Sequence, residues 1–186
     1  MELETIINNI HALPKKSFAM LAAEVEEVTI DKNIEFIRSG HVEPYIYLIK
    51  SGIVRGYVRS DAKEITFWIG REGEVALSLE SYINLKPGYE SIVTIEPSVL
   101  FRISSASLHA LYEKDVHLSN WGRKFAEREI LRAEKCLIPQ LFTTGKFRYL
   151  ELLKTDPELL NRIPLEYLAS YLGLTPVSLS RIRASI

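Results

Sequence analysis

Residues 165–183 read LEYLASYLGLTPVSLSRIR, and their spacing leaves little choice of local fold. Pro164 suits the first turn of a helix, where its missing N–H costs nothing. Leu165, Leu168, Ala169 and Leu172 then share one apolar face. Gly173 permits a sharp turn, Leu174 plugs the angle between two helices, and Thr175 followed by Pro176 starts the second. Small Ala169, Gly173, Leu179 and Ile182 stand at the spacing of a helix-turn-helix, in which the alanine lets two helices cross closely and the last two residues seat the second helix. Thr175, Val177, Ser178, Ser180, Arg181 and Arg183 are left pointing outward. Hydroxyls bond phosphates or base edges and arginine reads guanine bidentately, so these six are candidate DNA contacts. An ordinary helical hairpin shows the same Ala/Gly spacing, and the motif by itself leaves both readings open.

Charge adds a little. The chain holds 23 Lys+Arg against 24 Asp+Glu, a formal net charge of −1, which excludes a polycation but not a local basic patch. From Thr143 onward there are six basic residues against four acids, and before it 17 against 20, so positive charge is segregated toward the C-terminal end. A single cysteine, Cys136, excludes an internal disulfide, a four-thiolate zinc site and a four-cysteine iron–sulfur cluster. No apolar run approaches the roughly 18 residues of a spanning helix, and Met1 to His11 carries acids in place of a signal peptide's basic start. A cytoplasmic protein with no membrane partner is expected.

The chain changes grammar partway along. From about residue 25 to 104 it runs in short β-branched or aromatic stretches: 25–31, 34–37, 45–50, 53–59, 65–69, 91–95 and 99–103. Turn residues separate them, among them Lys32-Asn33, Ser39-Gly40, Ser51-Gly52, Ser60-Asp61 and Glu96-Pro97. Strands spaced so regularly imply a sandwich or barrel, not a βαβ sheet. Glu2 to Leu13 and Lys15 to Glu24 read as helices before the strands, and everything after 104 reads as helix. Val116 to Ile138 is one long helix, expected to stop at Pro139.

That long helix carries two apolar stripes, Leu118-Trp121-Phe125 and Gly122-Ala126-Ile130-Ala133-Leu137-Leu141. One stripe has the β domain to pack on; the other can meet the same helix of a second subunit across a two-fold axis. Leu118, Trp121 and Phe125 are assigned to the dimer interface. Packing of both stripes inside one chain is the alternative.

The order of parts, a small β-barrel, a long helix and a C-terminal helix-turn-helix, resembles the Crp–Fnr family of bacterial transcription regulators over nearly the whole chain. YLGLTPVSLSRIR is similar to that family's recognition unit, and Ile46-Tyr47-Leu48-Ile49-Lys50-Ser51-Gly52 with Val54-Arg55-Gly56-Tyr57 to its cyclic-nucleotide-binding-like barrel. The resemblance implies an α+β fold: N-terminal helices, a double-stranded β-helix (jelly-roll) barrel, a long dimerisation helix and a helix-turn-helix. The divisions are 1–114, 115–142 and 143–186. It also implies a homodimer on double-stranded DNA, with RNA polymerase as a further partner.

The same resemblance exposes a degenerate pocket. Family members that bind a cyclic nucleotide grip the ribose with a Gly-Glu pair and the phosphate with an Arg followed by Ser or Thr. Here Leu77-Ser78 stands where Gly-Glu belongs, Glu90-Ser91 stands near the Arg-Ser position, and 75–91 contain no arginine. A phosphate facing Glu90 loses a charge-assisted pair and gains a like-charge neighbour, and Lys86 offers only a point charge. Leu77, Ser78, Lys86, Glu90 and Ser91 therefore outline a pocket expected to bind cAMP weakly or not at all; an unidentified effector is left open. Haem is conceivable through His41, His109, His117 or Cys136, but isolated histidines are more often solvated or hydrogen-bonded, so no cofactor is expected. Cys136 itself reads as a plain helix cysteine before it reads as a thiol switch.

The recognition helix departs from the family's Arg-Glu start: Pro176 and Val177 hold those places, while Arg181 matches a family arginine. A different half-site follows, with Val177 against a thymine methyl. The family's β-hairpin wing does not follow Arg183, and the backbone contacts of that wing are expected to be missing. An enzyme is not expected. His41 is the only histidine between residues 12 and 108, so a cupin-type metal site cannot form, and no Gly-rich phosphate loop, nucleophile elbow or HExxH occurs. The alternative to a DNA-binding regulator is a regulatory or interaction module that no longer binds DNA.

Overall fold

The computed structural model describes residues 1–60 and 63–185, so Asp61 of the turn expected at Ser60-Asp61 lies outside the described residues, as does Ile186. Two short helices, α1 (Leu3–Ile10) and α2 (Lys15–Ala22), open the chain, with Pro14 at the start of the second. The strands are β1 (Glu26–Ile30), β2 (Glu35–Ile37), β3 (Tyr45–Ser51), β4 (Val54–Ser60), β5 (Lys63–Gly70), β6 (Val75–Ala76), β7 (Ser91–Thr94) and β8 (Ser98–Ser104), with the helix α3 (Leu79–Asn84) between β6 and β7. Among the described residues they pair antiparallel into two sheets, ordered β1-β8-β3-β6 and β2-β7-β4-β5, which is the expected jelly-roll barrel. The sequence reading missed β6 and α3. Two residues show no alternation to read, and α3 is a six-residue helix begun by the Ser78 N-cap.

β3 shows why this barrel carries helices. Ile46, Tyr47, Leu48 and Ile49 are all buried, so both faces of the strand are covered. Ile46 and Leu48 join Ile6, Ile7, Leu21 and Ile103 under the helices, while Tyr47 and Ile49 join Val54, Ile92 and Leu100 between the sheets. The β3–β4 turn needs Gly52: its φ is +103°, and a Cβ there would come within 2.2 Å of Ser98 Oγ.

After the barrel come α4 (Ser105–Lys114), α5 (Val116–Phe142), α6 (Gly145–Thr155), α7 (Pro157–Arg162), α8 (Leu165–Tyr171) and α9 (Pro176–Ala184). Asp115 starts α5 by accepting the amides of His117 and Leu118 through Oδ1. The helix does not stop at Pro139, as expected, but runs on to Phe142. Proline removes only the donor to the carbonyl four residues back, and the last turn is closed by the Thr143 amide on the Pro139 carbonyl (3.0 Å) and by Arg148, whose Nη1 donates to the carbonyls of Pro139 (3.2 Å) and Thr143 (2.6 Å).

The two stripes of α5 exchange the roles expected of them. Leu118, Trp121 and Phe125, assigned above to a dimer interface, are 0%, 1% and 4% exposed and lie in the core of their own chain. Trp121 stacks on Phe125 with ring centres 5.8 Å apart, and its Nε1 donates to the Ile7 carbonyl at 3.0 Å. The physical reason is α1: Ile6 and Ile7 supply the apolar cover, and the Ile7 carbonyl the acceptor, that a buried indole requires. The outward stripe is the second one, with Ile130, Leu137 and Leu141 exposed beside Leu131, Ile138 and Phe142. Gly122 drops out of it, because a Cβ there would fall 2.6 Å from the Tyr112 ring.

The C-terminal helices do not build a core of their own. Tyr149, Leu159, Leu160, Ile163, Leu168, Ala169, Leu172 and Leu179 cluster with Ile53, Ile69 and Ile95 of the barrel.

Candidate nucleic-acid interface

The local geometry of α8–α9 follows the residue spacing closely. Leu168, Ala169 and Leu179 are fully buried and Leu172 nearly so. Gly173 takes φ +65°, the left-handed conformation an L side chain resists, and the Leu174 amide then closes the turn on the Ala169 carbonyl at 2.8 Å. Thr175 caps α9, its Oγ1 accepting the Ser178 amide at 3.1 Å and donating to Ser178 Oγ at 2.9 Å. Pro176 occupies the first helical position.

Of the six candidate contacts, Thr175, Val177, Ser180, Arg181 and Arg183 are exposed. Ser178 is half-buried, and its hydroxyl is already engaged with the cap. Val177, 60% exposed, is an apolar side chain held out into solvent on the first turn of the helix. Arg181 and Arg183 stand in the last turn, where the helix dipole favours cations. The helix thus presents an apolar group at one end and two guanidiniums at the other.

Arg148 and Ser170 hold the helix-turn-helix in place, and sequence reasoning missed both. The Arg148 guanidinium, besides closing α5, donates from Nε (3.1 Å) and Nη2 (2.7 Å) to the Leu172 carbonyl, tying the end of α8 to the end of the long helix. Ser170 accepts the Thr66 amide at 2.9 Å and donates to the Glu64 carbonyl at 3.3 Å, so α8 covers the edge strand β5. No local pattern announces the Arg148–Leu172 tie or the contacts of Ser170, because these partners lie 24 or more positions away.

Of the expected pocket residues, Ser78 and Glu90 meet at Gly88, where a Cβ would fall 2.3 Å from Ser78 Oγ and 3.0 Å from Glu90 Oε1. Ser78, Glu90 and Ser91 are buried in the wall, with Ser78 Oγ accepting the Ser81 amide and Ser91 Oγ accepting the Ser39 amide. Glu90 Oε2 accepts the Tyr89 amide at 3.1 Å, and its Oε1 is buried without a partner among the described residues. Lys86 is exposed. Leu77 lines a space of about 220 Å³ between barrel and α5, together with Trp68, Ile92, Arg132 and Cys136. Arg132 there lies 5.0 Å from the Trp68 ring centre and pairs with Glu74 at 2.7 Å. Among the described residues no cluster of His, Cys, Asp and Glu is able to hold a metal ion, and no helix is long and apolar enough to cross a membrane.

This architecture is shared with known regulators. FixK2 from Bradyrhizobium japonicum superposes with a TM-score of 0.74 at 20% identity, over 87% of this chain and 83% of that one. The c-di-GMP responsive global regulator CLP of Xanthomonas campestris gives 0.73 at 16% identity, over 92% and 91%. A CooA mutant from Carboxydothermus hydrogenoformans gives 0.70 at 17% identity, over 100% and 84%. The fold is therefore that of the Crp–Fnr regulators: a cyclic-nucleotide-binding-like barrel, a long helix and a C-terminal helix-turn-helix. No protein-family model and no curated protein matches the sequence.

Proposed function

We propose that this chain is a dimeric, sequence-specific DNA-binding transcription regulator that works without a cyclic nucleotide. The observation that carries the reading is the outer face of α9: Leu179 is wholly buried while Val177, Ser180, Arg181 and Arg183 stand free on a helix whose cap and turn are fixed. A recognition helix needs that combination, a rigid seat and a free face with apolar and guanidinium contacts for base edges.

Dimerisation is supported by the outward stripe of α5. Ile130, Leu137 and Leu141 leave a long apolar seam uncovered, and a second copy of the same helix is its self-complementary partner about a two-fold axis. The absence of a cyclic nucleotide from the mechanism is supported by Glu90. A cyclic phosphate brought to that wall would meet a buried carboxylate with one oxygen already lacking a donor.

Selection of short random duplexes by the purified protein, with no nucleotide added and at about 100 mM salt, tests the reading. The expected result is enrichment of an inverted repeat with half-site centres about 10–10.5 base pairs apart, or a multiple of that. Enrichment only after cAMP is added overturns the nucleotide-free mechanism. No enrichment in either condition overturns DNA binding and favours an interaction module.

A further inference from the structure

The short helix α7 is tied to the barrel at both ends, by charge pairs of opposite direction. At its C-terminal end Arg162 donates from Nη2 to Glu72 Oε1 at 2.8 Å and from Nη1 to Glu72 Oε2 at 3.2 Å, and Nη2 also meets Glu96. At its N-terminal end Asp156, the helix cap, receives Arg71 Nη1 at 2.6 Å. Glu72 is itself fixed, since its Oε1 accepts the Gly52 amide at 2.9 Å. Between the two anchors the apolar floor is Ile53, Ile69 and Ile95 of the barrel.

The Arg162, Glu72 and Glu96 side chains are 28 to 35% exposed. Ion pairs at such a rim add little to overall stability but are directional and set register. Two pairs of opposite polarity on one helix oppose both sliding and rotation. The docked pose leaves Val177, Ser180, Arg181 and Arg183 exposed, so docking and DNA reading are compatible.

We propose that the Arg162–Glu72–Glu96 cluster and the Arg71–Asp156 pair form an electrostatic latch that holds the helix-turn-helix unit in one pose on its own barrel, so that the recognition helix is preset for DNA with no effector bound. The proposal rests on the DNA-binding reading above. Its thermodynamic content is simple: apparent affinity scales with the fraction of molecules in the competent pose, and the latch keeps that fraction near one.

The test is the full-length Glu72→Gln/Glu96→Gln variant, which neutralises the barrel side, leaves α9 untouched and keeps an acceptor for the Gly52 amide. Two readouts are compared with the unaltered chain: hydrogen exchange at the Thr66 amide, which bonds Ser170 across the junction, and affinity for the selected duplex at fixed salt. Expected are about tenfold faster exchange and about tenfold weaker binding. Removing two negative charges would by itself strengthen binding to DNA, so weaker binding cannot be a bulk charge effect. Asp156→Asn, which keeps the cap acceptor, opens the other end and should move both readouts the same way, whether or not the double variant folds well. Unchanged exchange overturns the latch, as does equal or tighter duplex binding alongside faster exchange. If the unaltered chain binds no duplex, it is the DNA-binding reading that fails. Exchange then decides the latch alone: faster exchange supports it and unchanged exchange overturns it.

Discussion

The guanidinium carbon of Arg55, on a barrel strand, lies 4.1 Å from the ring centre of Tyr167, on the first helix of the helix-turn-helix. The Tyr57 ring is 4.3 Å away on the barrel side, and the arginine is 2% exposed. Its Nε donates to Thr66 Oγ1 and its Nη2 to Glu64, both at 2.8 Å. A buried cation is thereby paired and capped by aromatic rings, one of them 112 residues away in the chain.

Tyr167→Ala removes one face of that cation site and should lower unfolding stability by about 2 kcal/mol, the worth of a desolvated cation–π contact. Tyr167→Phe keeps the ring and should lose well under half as much. Urea unfolding of the three proteins measures it. Equal losses would place the stabilisation in the hydroxyl.

The exchange of roles between the stripes of α5 makes a paired prediction. Leu137→Asp, on the exposed stripe, should give folded monomers in sedimentation velocity. Phe125→Asp, in the core, should not yield a folded monomer but lose several kcal/mol of stability, because it buries a charge among apolar side chains. A folded monomer from Phe125→Asp would reverse this assignment.

Arg181 is an exposed guanidinium in the last turn of α9. Arg181→Ala should weaken binding to the selected duplex by about 1–3 kcal/mol and relax specificity at one base position, with the oligomeric state unchanged. Binding across a panel of single-base variants of the site tests it; an undiminished affinity would remove this residue from the interface.

Acid should loosen the barrel junction through Glu72. Burial alone would raise its carboxyl, but the hydrogen bonds from Arg162 and the Gly52 amide outweigh that and bring it to about 2 from an ordinary 4.5. A carboxyl whose folded-state value is depressed stabilises the fold fully above the unfolded value. That contribution fades as pH falls from about 4.5 toward 2. Thermal unfolding followed across that window should show a flatter acid limb in Glu72→Gln; parallel limbs would mean that the carboxylate is not linked to folding.

The parts of this protein legible from sequence are those whose physics is local. The helix-turn-helix was readable because Ala169, Gly173, Thr175 and Leu179 interact within a dozen residues, and each has a side-chain reason for its place. The barrel was readable because β-branched runs and turn residues recur at short intervals, although a two-residue strand and a six-residue helix fell below that pattern. Continuation of α5 past Pro139 was hidden, since the guanidinium that closes its last turn belongs to Arg148 on the next helix. Which stripe of α5 turns inward was undecidable from periodicity, because both are apolar at helical spacing. Only tertiary packing decided it: Ile6 and Ile7 offered Trp121 apolar cover and a carbonyl, and nothing among the described residues offered the same to Ile130, Leu137 or Leu141. The seating of the helix-turn-helix on the barrel belongs to the same class. Arg162 and Glu72 stand 90 positions apart, and a contact across such a separation leaves no periodic trace in either segment.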